Sequence, residues 1–137
     1  MEIDLGGIAK GYTSDALIKR FKDKGITSGM VNPCGNVQLL GTKPDGSPWR
    51  VGIRSPYENT AFIGILTATD AAVITSGGYE RNFEQEGRYY HHIMDPATGY
   101  PADNGLISVT VISKDATMAD ALSTALYVRR LMGSLKH

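Results

Sequence analysis

The sequence predicts an α+β fold: a largely antiparallel sheet with flanking helices packed on one face. Three observations carry this. Apolar residues recur at helical spacing near the two ends of the chain. The interval between them is a series of short alternating or apolar runs. Those runs are cut by clustered glycines and prolines, and the 16 glycines point to many tight turns and close backbone approaches.

Taking the elements in order, residues 3–5 read as an extended lead-in that Gly6-Gly7 breaks. A helix follows from Ile8 to about Lys24, with Ile8, Tyr12, Ala16, Leu17 and Phe21 as its apolar stripe and Gly25 as its stop. Residues 29–32 and 36–41 read as strands around Pro33-Cys34-Gly35, where Asn36 either reaches into a site or satisfies the turn. Pro44-Asp45-Gly46 predicts a hairpin turn, and Trp49–Arg54 alternates as a strand. Further strands are expected at Ala61–Thr67 and Ala71–Thr75, the second ended by Ser76-Gly77-Gly78. Tyr79–Glu86 is short and polar, and Arg88–Met94 reads as a strand. Two prolines and a glycine between Asp95 and Pro101 predict an irregular compact loop. Gly105–Ile112 is the clearest strand, with Ile107, Val109 and Val111 on one face. A last helix is expected from about Thr117 to Met132, with Met118, Leu122, Ala125, Leu126 and Arg129 facing the core and Gly133 as its stop.

At 137 residues the chain is one domain or part of one, spanning 1–137. Lys plus Arg equals Asp plus Glu, so no basic stripe suggests nucleic acid. Cys34 is the only cysteine, which excludes an internal disulfide and a cysteine-rich metal site. Met1-Glu2-Ile3-Asp4 shows no basic stretch followed by an apolar run, so the sequence predicts no signal peptide, lipid anchor or spanning helix and a cytoplasmic chain as it stands.

Four stretches hold polar side chains in glycine or proline loops or at helix starts. Around Lys10, a glycine-broken helix start offers free backbone N–H groups and a full positive charge to an anion. Thr75 and Ser76 can donate to a phosphate or ring, or simply finish a strand. His92 precedes the rigid Asp95-Pro96 loop and suits a general base near neutral pH. Asp120, Ser123 and Thr124 share a helix face, and a carboxylate with two hydroxyls can hold a hard cation such as Mg²⁺. Thr117 and Asp120 read equally well as a capping box.

These stretches together resemble the ApbE family. Asp4 to Tyr12 resembles its D-L-G-G-I-A-K-G-Y segment, and Pro48 to Ile53 its P-W-x-V-G-I strand. Thr75-Ser76-Gly77 with Tyr79-Glu80-Arg81 resembles T-S-G-x-Y-E-R, and His92 to Pro101 resembles H-I-x-D-P-x-T-G-x-P. Ser108 to Val111 and Ala119 to Ala125 complete a series of six in the family's order. Asn32-Pro33-Cys34-Gly35-Asn36 departs from it, standing where a glycine-glycine-asparagine turn is more usual.

The resemblance implies an ApbE or T-fold-like architecture and FAD:protein FMN transferase activity: Mg²⁺-dependent cleavage of FAD, FMN placed on a threonine of an acceptor flavoprotein, and AMP released. It implies Gly7 (through its carbonyl), Asp120 and Thr124 as metal ligands, with Ser123 in the place of a residue that is sometimes acidic, and Asp4, Lys10 and Met94 as flavin-nucleotide contacts, to which the residues themselves add Thr75 and Ser76. It implies His92 and Asp120 as the catalytic pair. Family members carry a further N-terminal half and often work on the outer face of the cytoplasmic membrane. A chain without that half leaves sheet edges open, which favours a homodimer. A Mg²⁺-dependent FAD pyrophosphatase giving FMN and AMP, and a non-catalytic flavin-binding module, are the alternatives.

Overall fold

The structure is a computed structural model that describes residues 4–58 and 60–129. Helix α1 (Ala9–Asp23) leads into strands β1 (Gly29–Val31), β2 (Val37–Leu40), β3 (Trp49–Arg54), β4 (Phe62–Ala68) and β5 (Ala72–Gly77). A 3₁₀ turn (Gly78–Glu80) precedes β6 (Asn82–Gln85), β7 (Arg88–His91), β8 (Met94–Asp95), β9 (Tyr100–Pro101) and β10 (Ser108–Ser113). Helix α2 (Ala116–Val128) follows. None of these helices is long and apolar enough to cross a membrane.

The fold is mixed α+β, and its strand pairs are antiparallel. The main sheet has the order β1-β2-β5-β10. Its central strand β5 is buried on both faces, so it reads as a continuous apolar run rather than an alternation. Ala72 and Ile74 pack against Ala116 and Ala119 of α2, with Val111 beside them. Val73, between them, points the other way and packs with Leu39, Val51, Trp49 and Leu66 under the β3–β4 ribbon. Ile18 fastens α1 to Val31 and Leu40. The helices therefore lie on one face of the sheet and the ribbon on the other.

Several local expectations are corrected. Where the helices cross, their inward faces are small and partly polar rather than the expected large apolar stripes: Gly11 and Ser14 on α1, and Ala116, Ala119, Asp120 and Ser123 on α2, with Ile18 and Tyr127 the large buried side chains further along. Tyr12, Met118 and Leu122 of the expected stripes are exposed instead, at 66%, 53% and 41%. Close approach of two helices favours small residues at the contact, and that need overrides hydrophobic periodicity. Helix α2 is capped by Asp115, whose side chain accepts from the Met118 N–H, so Thr117 does not form a capping box with Asp120. The helix ends at Val128 because Arg129 turns extended; the expected stop at Gly133 lies outside the described residues. The turn at Pro44-Asp45-Gly46 forms, with Gly46 in the left-handed region, but β2 pairs with β5 rather than β3. Two short strands, β8 and β9, pair around the loop expected to be irregular.

Candidate functional site

The site is built where the starts of the two helices cross. The chain reaches α1 through a tight bend: the Leu5 carbonyl accepts from the N–H groups of Ile8 and Ala9, and Asp4 Oδ1 accepts from the Gly6 N–H. The cap residue Ile8 contributes no side-chain hydrogen bond, so the first-turn donors of α1 look elsewhere. The Gly11 N–H finds Asp120 Oδ2 of α2 at 2.8 Å. In return, Asp15 of α1 accepts from the N–H groups of Ala116 (3.1 Å) and Thr117 (2.8 Å) and from the Thr117 hydroxyl. Each helix thus places a carboxylate on the positive end of the other. Burial alone would raise the Asp15 carboxyl, but the hydrogen bonds from Thr117, Gln38 and Ala116 outweigh it and hold it below the usual carboxylate value.

Glycine is required at position 11. A Cβ there would lie 2.7 Å from Asp120 Cβ and would overlap the Ala116 carbonyl. Gly7 is also close to α2, its notional Cβ 3.4–3.5 Å from Cγ2 and Oγ1 of Thr124. Gly7, Asp120 and Thr124 are therefore brought to one crossing.

Asp120 is 2% exposed. Its second oxygen, Oδ1, accepts from Asn36 Nδ2 at 3.1 Å. Next to it runs a chain of hydroxyls. Ser123, fully buried, donates to the Asp120 carbonyl and lies 2.8 Å from Ser76 Oγ, which lies 3.3 Å from Thr124 Oγ1. With the Ser123 proton committed, Ser76 donates to Ser123 and Thr124 donates to Ser76. Thr124 keeps both lone pairs for a cation, and Ser123 keeps one.

Thr75 and Ser76 are adjacent on β5 and project to opposite faces. Ser76 meets α2, whereas Thr75 bonds to Thr110 across the sheet and lines a cavity of about 750 Å³ with Val37, Val51, Arg54, Phe62 and Tyr79. A second cavity of about 760 Å³ lies between β7, the 3₁₀ turn and the loop after β9, lined by Tyr79, Tyr89, Tyr90, His91, Tyr100 and Tyr127. Tyr127 sits in its floor, and its hydroxyl accepts from the Gly78 N–H at 3.2 Å. Burial raises the Tyr127 phenol, and burial with the nearby Glu80 charge raises that of Tyr79.

The two histidines separate. His91 is half-buried, its Nε2 on the Ala102 carbonyl and its Nδ1 accepting from the Ile93 N–H. His92 is exposed, with Nδ1 3.4 Å from the Arg81 carbonyl. A carbonyl only accepts, so Nδ1 carries the hydrogen, and in the neutral ring Nε2 is then the acceptor. Met94 is 47% exposed on β8, Asp4 is exposed, and Lys10 is half-buried in the first turn of α1. Asp15, Gly11 and Gln38 were not legible as members of this region from sequence, since their partners lie far away in the chain. In the Asp4 to Tyr12 segment Gly11 reads only as one glycine of a helix start.

A family model described as "ApbE family" matches residues 1–136. The chain is 44% identical over 128 residues to an FAD:protein FMN transferase of Klebsiella pneumoniae, covering 93% of this chain and 39% of the relative. It is 39% identical to one from Treponema pallidum, covering 93% and 38%. Among solved structures, the ApbE protein of Thermotoga maritima matches with a TM-score of 0.87 at 46% identity, over 93% of this chain and 41% of that one. The apo flavinyl transferase ApbE of Pseudomonas stutzeri matches at 0.77 and 42%, over 93% and 39%. The chain thus spans about two fifths of the length of the relatives it matches.

Proposed function

Because the chain belongs to the ApbE family, we propose that it takes part in moving FMN from FAD to a threonine hydroxyl of an acceptor flavoprotein, with AMP leaving. What supports this reading is the crossing of the helix starts, where Gly7 lies against Thr124 and Gly11 donates to Asp120. In the reaction the threonine oxygen attacks the phosphorus of the FMN half. The bond from that phosphorus to the bridging oxygen breaks, and the oxygen departs with AMP. Such a displacement needs charge neutralisation, in-line placement and somewhere for the hydroxyl proton to go.

The residues divide those tasks. Lys10 and the N-terminal turn of α1 hold phosphate charge. His92, with Nε2 free, takes the proton of the attacking hydroxyl. Asp4, Ser76 and Met94 contact the nucleotide; Thr75, which projects to the opposite face of β5 from Ser76, would meet only a part of it lying in the cavity that it lines. Asp120, Thr124 and the Gly7 carbonyl are all oxygen donors with one carboxylate among them, a set suited to Mg²⁺ shared with substrate phosphates. Among the described residues no three His, Cys, Asp or Glu side chains converge, so a cage made by such side chains is not the arrangement proposed. Bound Mg²⁺ would supply neutralisation of the diphosphate. Ser123, which also holds Ser76, has one lone pair left for the same ion. A second copy pairing along the open edges β1 or β10 of the main sheet is part of the proposal, and sedimentation reads it.

The test is incubation with FAD, Mg²⁺ and a threonine-bearing acceptor flavoprotein, read by mass spectrometry. One FMN gained on the acceptor, with equimolar AMP, is expected. Free FMN and AMP formed equally fast without acceptor would replace the transferase by a pyrophosphatase. Binding of FAD with no turnover would leave a non-catalytic module.

A further inference from the structure

The loop between β1 and β2 makes an unusual commitment of one side chain. Cys34 (φ 52°) and Gly35 (φ 91°) are both in the left-handed region, two in succession. They swing the chain so that Asn36 turns inward, where it is 1% exposed. The turn does not need the Asn36 side chain. Asn32 Oδ1 already accepts from the Gly35 N–H at 2.9 Å, and the Asn36 N–H reaches the Pro33 carbonyl. The Asn36 amide instead spans 84 positions of sequence to Asp120 Oδ1.

Its orientation is forced. An ionised carboxylate only accepts, so the NH₂ end must face Asp120 and the carbonyl end must face away. At that end Oδ1 is buried and has no hydrogen-bond partner among the described residues. A buried acceptor left without a donor is unfavourable, and native folds rarely keep one without a reason. A leucine or alanine would avoid the penalty while filling the turn.

We propose that Asn36 is the positioning residue for Asp120. With the Gly11 N–H on Oδ2 and the Asn36 amide on Oδ1, the carboxylate is clamped from both sides, one lone-pair direction used on each oxygen. The remaining directions are then fixed in space for a cation. In this arrangement Asn36 acts through Asp120. The role rests on the proposed metal centre, but the clamp itself does not.

Two readouts separate them. The first uses no ligand: in ¹H–¹⁵N spectra, Asn36→Ala should shift the Gly11 amide resonance and raise its hydrogen-exchange rate, because loss of one side of the clamp frees the carboxylate that Gly11 donates to. The second uses Mn²⁺ alone, titrated by electron paramagnetic resonance. Outer-shell partners of metal ligands are worth about 10–100-fold in affinity, so Asn36→Ala should weaken Mn²⁺ binding by that factor. Should Asn36→Ala fail to fold, Asn36→Leu, which fills the volume without a donor, is judged by the same two readouts. An unmoved Gly11 amide overturns the clamp. A moved amide with unchanged Mn²⁺ affinity overturns the positioning role and leaves Asp120 as a ligand. Absence of Mn²⁺ binding by the unmodified chain overturns the metal centre, and the positioning role with it.

Discussion

Replacing Gly11 by alanine is the sharpest test of the helix crossing. In an exposed helix interior, Gly→Ala is favourable by about 1 kcal/mol. Here the added Cβ would meet Asp120 Cβ at 2.7 Å and overlap the Ala116 carbonyl. Those are Cβ and backbone atoms, which cannot rotate aside. Comfortable carbon contacts begin near 3.5 Å, so the helices must part by about 1 Å. Overpacking of this kind costs about 1–3 kcal/mol. The same movement stretches the 2.8 Å bond from Gly11 to Asp120, a hydrogen bond to a charged group worth about 1.5–3 kcal/mol. Set against the gain in helix propensity, the net is about 1.5–5 kcal/mol of destabilisation. Urea unfolding followed by circular dichroism measures it. Ala16→Gly, on an exposed turn of the same helix, should lose only about 1 kcal/mol and serves as the reference for propensity. If Gly11→Ala unfolded at the same or a higher urea concentration than the unmodified chain, the close approach of α1 and α2 would be wrong.

Three further outcomes are expected. Asp15→Asn should lower stability at neutral pH by about 1–3 kcal/mol, since it weakens the charged acceptor for two first-turn N–H groups of α2. The Asp15 carboxyl is depressed in the folded chain, so its contribution is full above the ordinary value of 3.8 and is lost as pH falls through the lower folded value; acid titrations of stability should therefore be flatter below pH 3.8 in Asp15→Asn than in the unmodified chain. Asp120→Asn should abolish FMN transfer while unfolding remains a single cooperative transition, read by the acceptor mass and by urea denaturation; full transfer would remove Asp120 from the chemistry. Tyr127→Phe leaves the Gly78 N–H without its acceptor in a buried setting and should cost about 1–3 kcal/mol, with the Gly78 amide exchanging faster.

The sequence made the strands readable wherever one physical demand dominated. Trp49–Arg54 alternates between the ribbon's packed and open sides, and the structure gives β3 those bounds. Gly25, at φ 74°, ends α1 where a left-handed residue was expected just past it. What stayed hidden depends on contacts distant in sequence. Asp15 looks like an ordinary surface acid on a helix, yet it meets Ala116 and Thr117, 101 and 102 residues away. Asp120 and Gly11 are 109 apart. Thr117 looked like a cap for its own helix because local spacing cannot tell that a carboxylate from another helix has taken its N–H and hydroxyl.

The inverted stripes carry the most information about the site. Periodicity assumes that a helix buries its apolar side, and α2 exposes Met118 and Leu122 while burying Asp120 and Ser123. Burial of a carboxylate is unfavourable unless donors surround it, and here the donors come from a helix start and from an asparagine whose own carbonyl lacks a partner. A purely structural link between α1 and α2 would be served by apolar packing of similar volume, without an orphaned acceptor. The arrangement makes sense if the carboxylate must face one way for a ligand, with the small residues Gly11, Ala116 and Ala119 letting the backbones come close enough to aim it. Gly11 and Asn36 should therefore resist substitution for the same reason as Asp120. A variant at either position that kept its fold and its hold on Mn²⁺ would show that the residue replaced does not aim the carboxylate for a ligand.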